Sequence, residues 1–197
     1  MRYRAISMSY FLRRIALLPA CMLILAMVIL AGCATTPAQP ARLGLKLAPA
    51  ALGENIAVQQ HLKVERNGRI DELDVALEID AEHLELVGLA FGQRVLSVHY
   101  DGDILTSWRH VMLPAQVRAE DVLEDLQLTL WPLEAIRAAL PAGWHMEQQG
   151  LRRTLMMGNT VIMTINYSTT TPWSGITTLE NIRYKYRLTI QSAATSP

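Results

Sequence analysis

Cysteine is scarce, and basic residues form no cluster. The 197-residue chain has two cysteines, Cys21 and Cys33. Cys21 lies in an apolar stretch near the start of the chain, so no intramolecular disulfide framework is expected. The absence of a Lys/Arg patch argues against nucleic acid as a partner. Glycines occur in pairs with turn residues, not in a phosphate-cradling loop ahead of a helix, and no cofactor motif is present. His61, His83, His99, His110 and His145 lack ligand spacing and have no thiolate to join them, so no metal site is expected. Ser97, His99 and Asp101 alternate along one stretch. On a strand they would share a face but stand about 7 Å apart, too far for a nucleophile, base and orienting acid in direct contact. A solvated strand face explains them, and no catalytic residue is assigned.

The chain opens with Arg2, Arg4, Arg13 and Arg14, a run from Ile15 to Leu30 that is apolar almost throughout, and then small residues. At about 16 residues that run is short for a bilayer core of about 30 Å, and the order is that of an export signal spanning Met1 to Gly32. Leu30-Ala31-Gly32-Cys33 resembles the bacterial lipobox. The resemblance implies cleavage before Cys33, a thioether-linked diacylglycerol on its sulfur and acylation of the new amino terminus. Several acyl chains anchor a protein far more firmly than one. With Ala34 after the cysteine, the expected location is the outer membrane, with the domain facing the periplasm. Without the four leading arginines the chain keeps 14 basic residues against 18 acidic ones, a net charge of −4. Residues 33–54 are expected to be the lipidated start and a tether, 55–192 a single domain and 193–197 a tail.

From Asn55 to Arg109 apolar residues recur at alternate positions, the period of strands with one buried face. Ile56, Val58, Leu62 and Val64 form one such face; Leu73, Val75, Leu77 and Ile79 form the next, with Asn67-Gly68 as the hairpin turn between. Leu84 and Leu86, then Leu96, Val98 and Tyr100, then Ile104 and Trp108 continue the meander, with a tight turn at Asp101-Gly102. After Pro114 the period changes. Val122, Leu123, Leu126 and Leu130 mark one helix, and Leu133, Ile136 and Leu140 a second, stopped by Pro141 and Gly143. Strands return from Trp144 to Ile190, with a turn at Gly158-Asn159. The expected class is mainly β with a helical insert (α+β): an antiparallel sheet curling round its insert, with room for an apolar cavity. Met112, Met146, Met156, Met157 and Met163 are adaptable fillers for a core or a ligand cavity.

Three segments together resemble the LolA/LolB-like superfamily of lipoprotein carriers, within it a LolB-like outer-membrane lipoprotein branch. They are Leu84 to Gly92 running into Leu96 to Asp101, Leu128 to Ile136 ending at Leu140-Pro141, and the closing strands Val161 to Tyr167 and Tyr186 to Ile190. The resemblance implies an unclosed antiparallel β-barrel, a half-barrel capped by short helices, whose apolar interior accepts acyl chains. The candidate lining is Val64, Val75, Leu77, Leu86, Val98, Trp108, Leu126, Leu130, Met163 and Ile165. It also implies a loop residue that delivers cargo to the membrane: Phe91, with Leu89 beside it and Ala90 where the family pattern has proline. The implied activity is transfer rather than reaction. Its partners are an acyl chain or lipid-like ligand, the membrane through Cys33, and a periplasmic carrier protein that hands over cargo. The alternative is an interaction module that helps assemble an envelope complex.

Overall fold

The computed structural model describes residues 42–114 and 116–194. The expected signal, lipid-bearing Cys33 and residues 195–197 lie outside this range. Ten strands form one antiparallel sheet in the order β5-β4-β3-β2-β1-β10-β9-β8-β7-β6. The first five are β1 (Ile56–Arg66), β2 (Arg69–Ile79), β3 (Leu84–Ala90), β4 (Gln93–Tyr100) and β5 (Leu105–Arg109). Helices α1 (Ala119–Leu130) and α2 (Leu133–Ala139) follow. The last five are β6 (Trp144–Gln149), β7 (Arg152–Met157), β8 (Thr160–Tyr167), β9 (Gly175–Asn181) and β10 (Tyr186–Ala194). The sheet ends at β5 and β6, so the barrel is unclosed, and the helices fall in sequence between those two edges. This is the expected fold class.

Turn chemistry sets the hairpins. Asn67 and Gly68 have φ of 52° and 75°, the left-handed pair that a two-residue turn needs to match strand twist. Phe91 and Gly92 repeat this geometry with φ of 52° and 72°. The Asp101 carboxylate accepts the N–H groups of Asp103 and Ile104 at 2.9 and 2.7 Å, closing the turn into β5. That turn brings Ser107 opposite inward-facing Val98 and Trp108 opposite Ser97. Trp108 therefore faces outward, contrary to the expected alternation; a one-residue difference in phase moves a side chain to the other face.

The inner face is continuous. Ile56, Val58, Val75, Leu77, Leu84, Leu86, Val98 and Tyr100 from the first strands join Leu155, Met163, Ile165 and Leu179 from the last. Helix α1 adds Leu123, Leu126, Leu128 and Leu130, and α2 adds Ile136. Pro132 ends α1 by holding Trp131 extended (φ −66°, ψ 153°), and the indole is fully buried.

The folded domain begins earlier than residue 55. Leu45, Leu47 and Leu52, expected within the tether, are buried. Residues 42–48 belong to no strand and Pro49–Leu52 form one turn of 3-10 helix, and side chains of α1 and of Trp131 just after it satisfy part of this backbone. Gln127 Nε2 donates to the Leu47 carbonyl at 3.0 Å, Trp131 Nε1 to the Ala48 carbonyl at 3.1 Å, and Gly44 N–H to Glu124 Oε2 at 2.8 Å. The alternation of Leu43, Leu45 and Leu47 is the local signal for this. At the other end, β10 runs to Ala194.

Candidate functional site

A cavity of about 360 Å³ lies between α1 and the inner face of β1–β4 and β10. Its sheet wall holds Leu62 and Val64 of β1, Leu73 and Val75 of β2, Leu86 of β3, Leu96 of β4, and Leu188 and Ile190 of β10. Helix α1 supplies Val122, Leu126 and Leu130, spaced by four so that they share one face. Leu113, Pro114 and Val117, from the segment ahead of α1, complete the apolar surface.

The cavity has a closed end and an open one. Gln60, Val75, Leu86, Leu96, Leu126 and Leu130 are buried, and Gln60 Nε2 donates to Ser192 Oγ at 3.1 Å. Toward the β1–β2 turn the inner-face positions change from Leu62 and Val64 to Arg66, and from Val75 and Leu73 to Asp71 and Arg69. Asn67, Arg69, Asp71, Gln116 and Arg118 are exposed and line the same cavity, so its mouth lies between the β1–β2 turn and residues 116–118.

Gly88 sits on the inner face between two lining residues. A Cβ there would stand 3.2 Å from Leu73 Cδ1 and 3.3 Å from Leu96 Cβ, so glycine lets these leucines close together.

One wall carries a charged cluster. Arg42 Nη1 meets Asp125 Oδ1 at 3.0 Å, Arg42 Nε meets Asp121 Oδ1 at 3.3 Å, and Tyr186 donates its hydroxyl to Asp125 Oδ2 at 2.5 Å. Burial opposes the Arg42 charge, but Asp125, Tyr186 and Asp121 outweigh it and hold the guanidinium above its ordinary range. Burial also pushes the Glu124 carboxyl up, against the pull of the Gly44 N–H and Arg42. The cluster ties the start of the domain to α1 and β10 beside the cavity.

Of the ten residues expected to line a cavity, Val64, Val75, Leu86, Leu126 and Leu130 do so. Leu77, Val98, Met163 and Ile165 point inward but belong to the filled core, each at most 1% exposed, and Trp108 faces outward. Alternation reports which face a residue takes, not how far along the interior the packing is complete. None of the five methionines singled out from the sequence lines the cavity: Met146 and Met163 are core, while Met112 and Met157 are exposed. The sequence reading missed the arginines at Arg66, Arg69 and Arg118. For Arg66 and Arg69 the signal was a charged residue at an inward-facing position in each of the two longest strands; Arg118, just ahead of α1, had none.

Phe91 is 95% exposed at the β3–β4 turn, and Leu89 is partly exposed beside it. The loop after β5 adds Val111 and Met112, 91% and 57% exposed. Because Ala90 pairs with Gln93 and Leu96 with Arg109, this loop and the β3–β4 turn lie at the same end of the sheet. Asp74 pairs with Leu89, so the β1–β2 turn projects past that end as well. The exposed apolar residues and the cavity mouth thus share one end of the sheet.

Ser97, His99 and Asp101 form no relay. His99 Nδ1 is 2.5 Å from Glu85 Oε1 across the strand pair, and the Asp101 carboxylate is taken up by its turn. Among the described residues no three His, Cys, Asp or Glu side chains converge to hold a metal ion.

A search of the curated proteins finds no match. Among solved structures, the crystal structure of a LolA superfamily protein from Nitrosomonas europaea is similar, at 9% identity over 78% of this chain and 93% of that one, with a TM-score of 0.43. That is the superfamily the sequence motifs resemble, and at this TM-score the likeness assigns nothing further. Residues 57–194, from the second residue of β1 to the last of β10, match the family model described as "Protein of unknown function (DUF3261)", and the chain belongs to that family.

Proposed function

We propose that this protein binds an acylated or lipid-like molecule in the cavity between α1 and the sheet and assists its insertion into the outer membrane, to which Cys33 anchors it. The observation that carries this reading is the cavity itself: a space with mostly apolar walls, buried at one end, that well-packed interiors do not otherwise leave. Its 360 Å³ equals the liquid volume of about a dozen waters at about 30 Å³ each, and a methylene takes similar room. One acyl chain of about that many carbons fits. At about 0.8 kcal/mol per methylene removed from water, full burial contributes about 10 kcal/mol before ordering costs. That suffices to hold a chain, and a mouth open to solvent allows release.

Phe91, Val111 and Met112, exposed at the mouth end, suit contact with an apolar phase. In this reading they touch the membrane while the chain leaves the cavity, with no bond made or broken. Native mass spectrometry and lipid extraction of the whole protein purified from its own host test it. A bound acyl species is expected, lost on Val64→Trp, which fills the half-buried wall. An empty protein that also refuses acyl probes would sink the reading and favour the assembly module.

A further inference from the structure

The mouth of the cavity differs in charge from its interior, and that difference defines the ligand further. Arg66 and Arg69 are direct cross-strand partners at the end of the β1–β2 hairpin, and both line the cavity. Like charges in that relation destabilise a hairpin. Among the described residues Arg66 has neither an ion pair nor a side-chain hydrogen bond. Arg69 has only a long 3.6 Å contact with exposed Asp71, and Arg118, on the facing wall, a 3.4 Å contact with exposed Glu120. Asp121 and Asp125, the other carboxylates lining the cavity, are engaged by Arg42. Among the described residues, the mouth therefore presents three arginines against Asp71 where the cavity opens to solvent.

Resting on the acyl-chain reading above, we infer that the ligand is a single-chain amphiphile with an anionic head, carboxylate or phosphate, which Arg66 and Arg69 grip while the chain runs down to Gln60 and Leu126. An anion between the two guanidiniums turns a repulsive pair into two charge-assisted contacts, and the planar fork of arginine suits both oxyanions. A cationic head would meet the same arginines unfavourably, and a neutral one would leave them as they are.

The test uses the whole protein held in amphipol, loaded with the neutral probe N-phenyl-1-naphthylamine and titrated with four twelve-carbon competitors below their micelle concentrations. Laurate and dodecyl phosphate are expected to displace the probe at concentrations about tenfold lower than dodecanol or dodecyltrimethylammonium. Arg66→Gln with Arg69→Gln removes that preference, so that laurate and dodecyl phosphate no longer outcompete dodecanol, while inorganic phosphate displaces nothing. Equal displacement by all four amphiphiles, or a preference that survives both substitutions, would overturn the anionic head and leave the acyl-chain reading intact. Competition by inorganic phosphate as strong as by dodecyl phosphate would overturn it in favour of a free-anion site. Failure to take up the probe or any amphiphile would instead remove the acyl-chain reading itself.

Discussion

On the β6–β9 side of the sheet, the packing against α1 leaves a gap of only about 10 Å³; on the β1–β4 side, the same helix turns Val122, Leu126 and Leu130 toward the 360 Å³ cavity. Both walls are apolar. Tyr186 of β10 holds the middle of the helix at Asp125, and the filled side holds its carboxyl end by several hydrogen bonds. Arg153 Nη1 donates to the carbonyls of Leu128, Thr129 and Trp131 at 3.0, 3.2 and 2.9 Å, and the Tyr167 hydroxyl donates to Thr129 at 2.6 Å. A cation at the carboxyl end of a helix satisfies carbonyls that have no helical partner and opposes the negative end of the dipole. Trp131 and Gln127 bind the segment before β1, and Arg42 braces the helix at Asp121 and Asp125. Pinned in this way, α1 cannot sink onto β1–β4. The cavity survives because the opposite wall holds the helix off.

The largest test of that contrast is Arg153→Leu. It takes the Arg153 donor from three carbonyls beside the end of α1, of which Thr129 alone keeps a side-chain donor in Tyr167, and is expected to cost about 3–5 kcal/mol, read from urea unfolding midpoints. It should also weaken acyl-probe binding, although Arg153 does not line the cavity. If stability fell while probe binding stayed whole, the bracing argument would be wrong. Next come matched truncations: Leu179→Ala, in the filled half, should cost about 2–5 kcal/mol. Val64→Ala, half-buried beside space that already exists, should cost less than about 1 kcal/mol. Enlargement reverses the order. Ile165→Phe should cost about 1–3 kcal/mol, while Val64→Leu is tolerated and competes with ligand. Equal costs in the two halves would refute the contrast.

A smaller effect appears at alkaline pH. Burial pushes the Tyr167 hydroxyl up to about 12, from 10.0 for a free tyrosine, despite Arg153 nearby. The unfolded chain then loses this proton before the folded one does, so stability is intact below pH 10 and declines between there and about 12. Tyr167→Phe should flatten that decline in unfolding experiments run across the range. The smallest change concerns Phe91, a bulky residue in the left-handed region at φ 52°. Phe91→Gly should raise stability by about 1 kcal/mol, and the same substitution should weaken association of the protein with vesicles. Stabilisation with unchanged vesicle association would leave the exposed ring without a membrane role.

Period and turn chemistry made much of the fold legible. The alternation from Ile56 to Tyr100 gave four strands with their faces, Asn67-Gly68 gave the longest hairpin, and the spacing of Leu123, Leu126 and Leu130 gave α1. Trp108 escaped because the length of the turn after Asp101 decides its face, and no count of apolar residues carries that length. The start of the domain escaped because the side chains that bind its backbone, Gln127 at Leu47 and Trp131 at Ala48, are 80 and 83 residues away in sequence. For the site, the inner face was readable, but the division into filled and empty halves was not. It depends on Arg153, whose burial within an apolar stretch is a tertiary outcome.

All neighbours in the sheet are consecutive in sequence except β1 and β10, whose nine paired residues from Val58 to Arg66 join the two meanders. Either meander can zip from its own short turns, but this seam must wait for the end of the chain and a long loop closure. Leu188 and Ile190, on that last strand, are part of the cavity wall. The cavity therefore does not exist until the last strand has been made and paired.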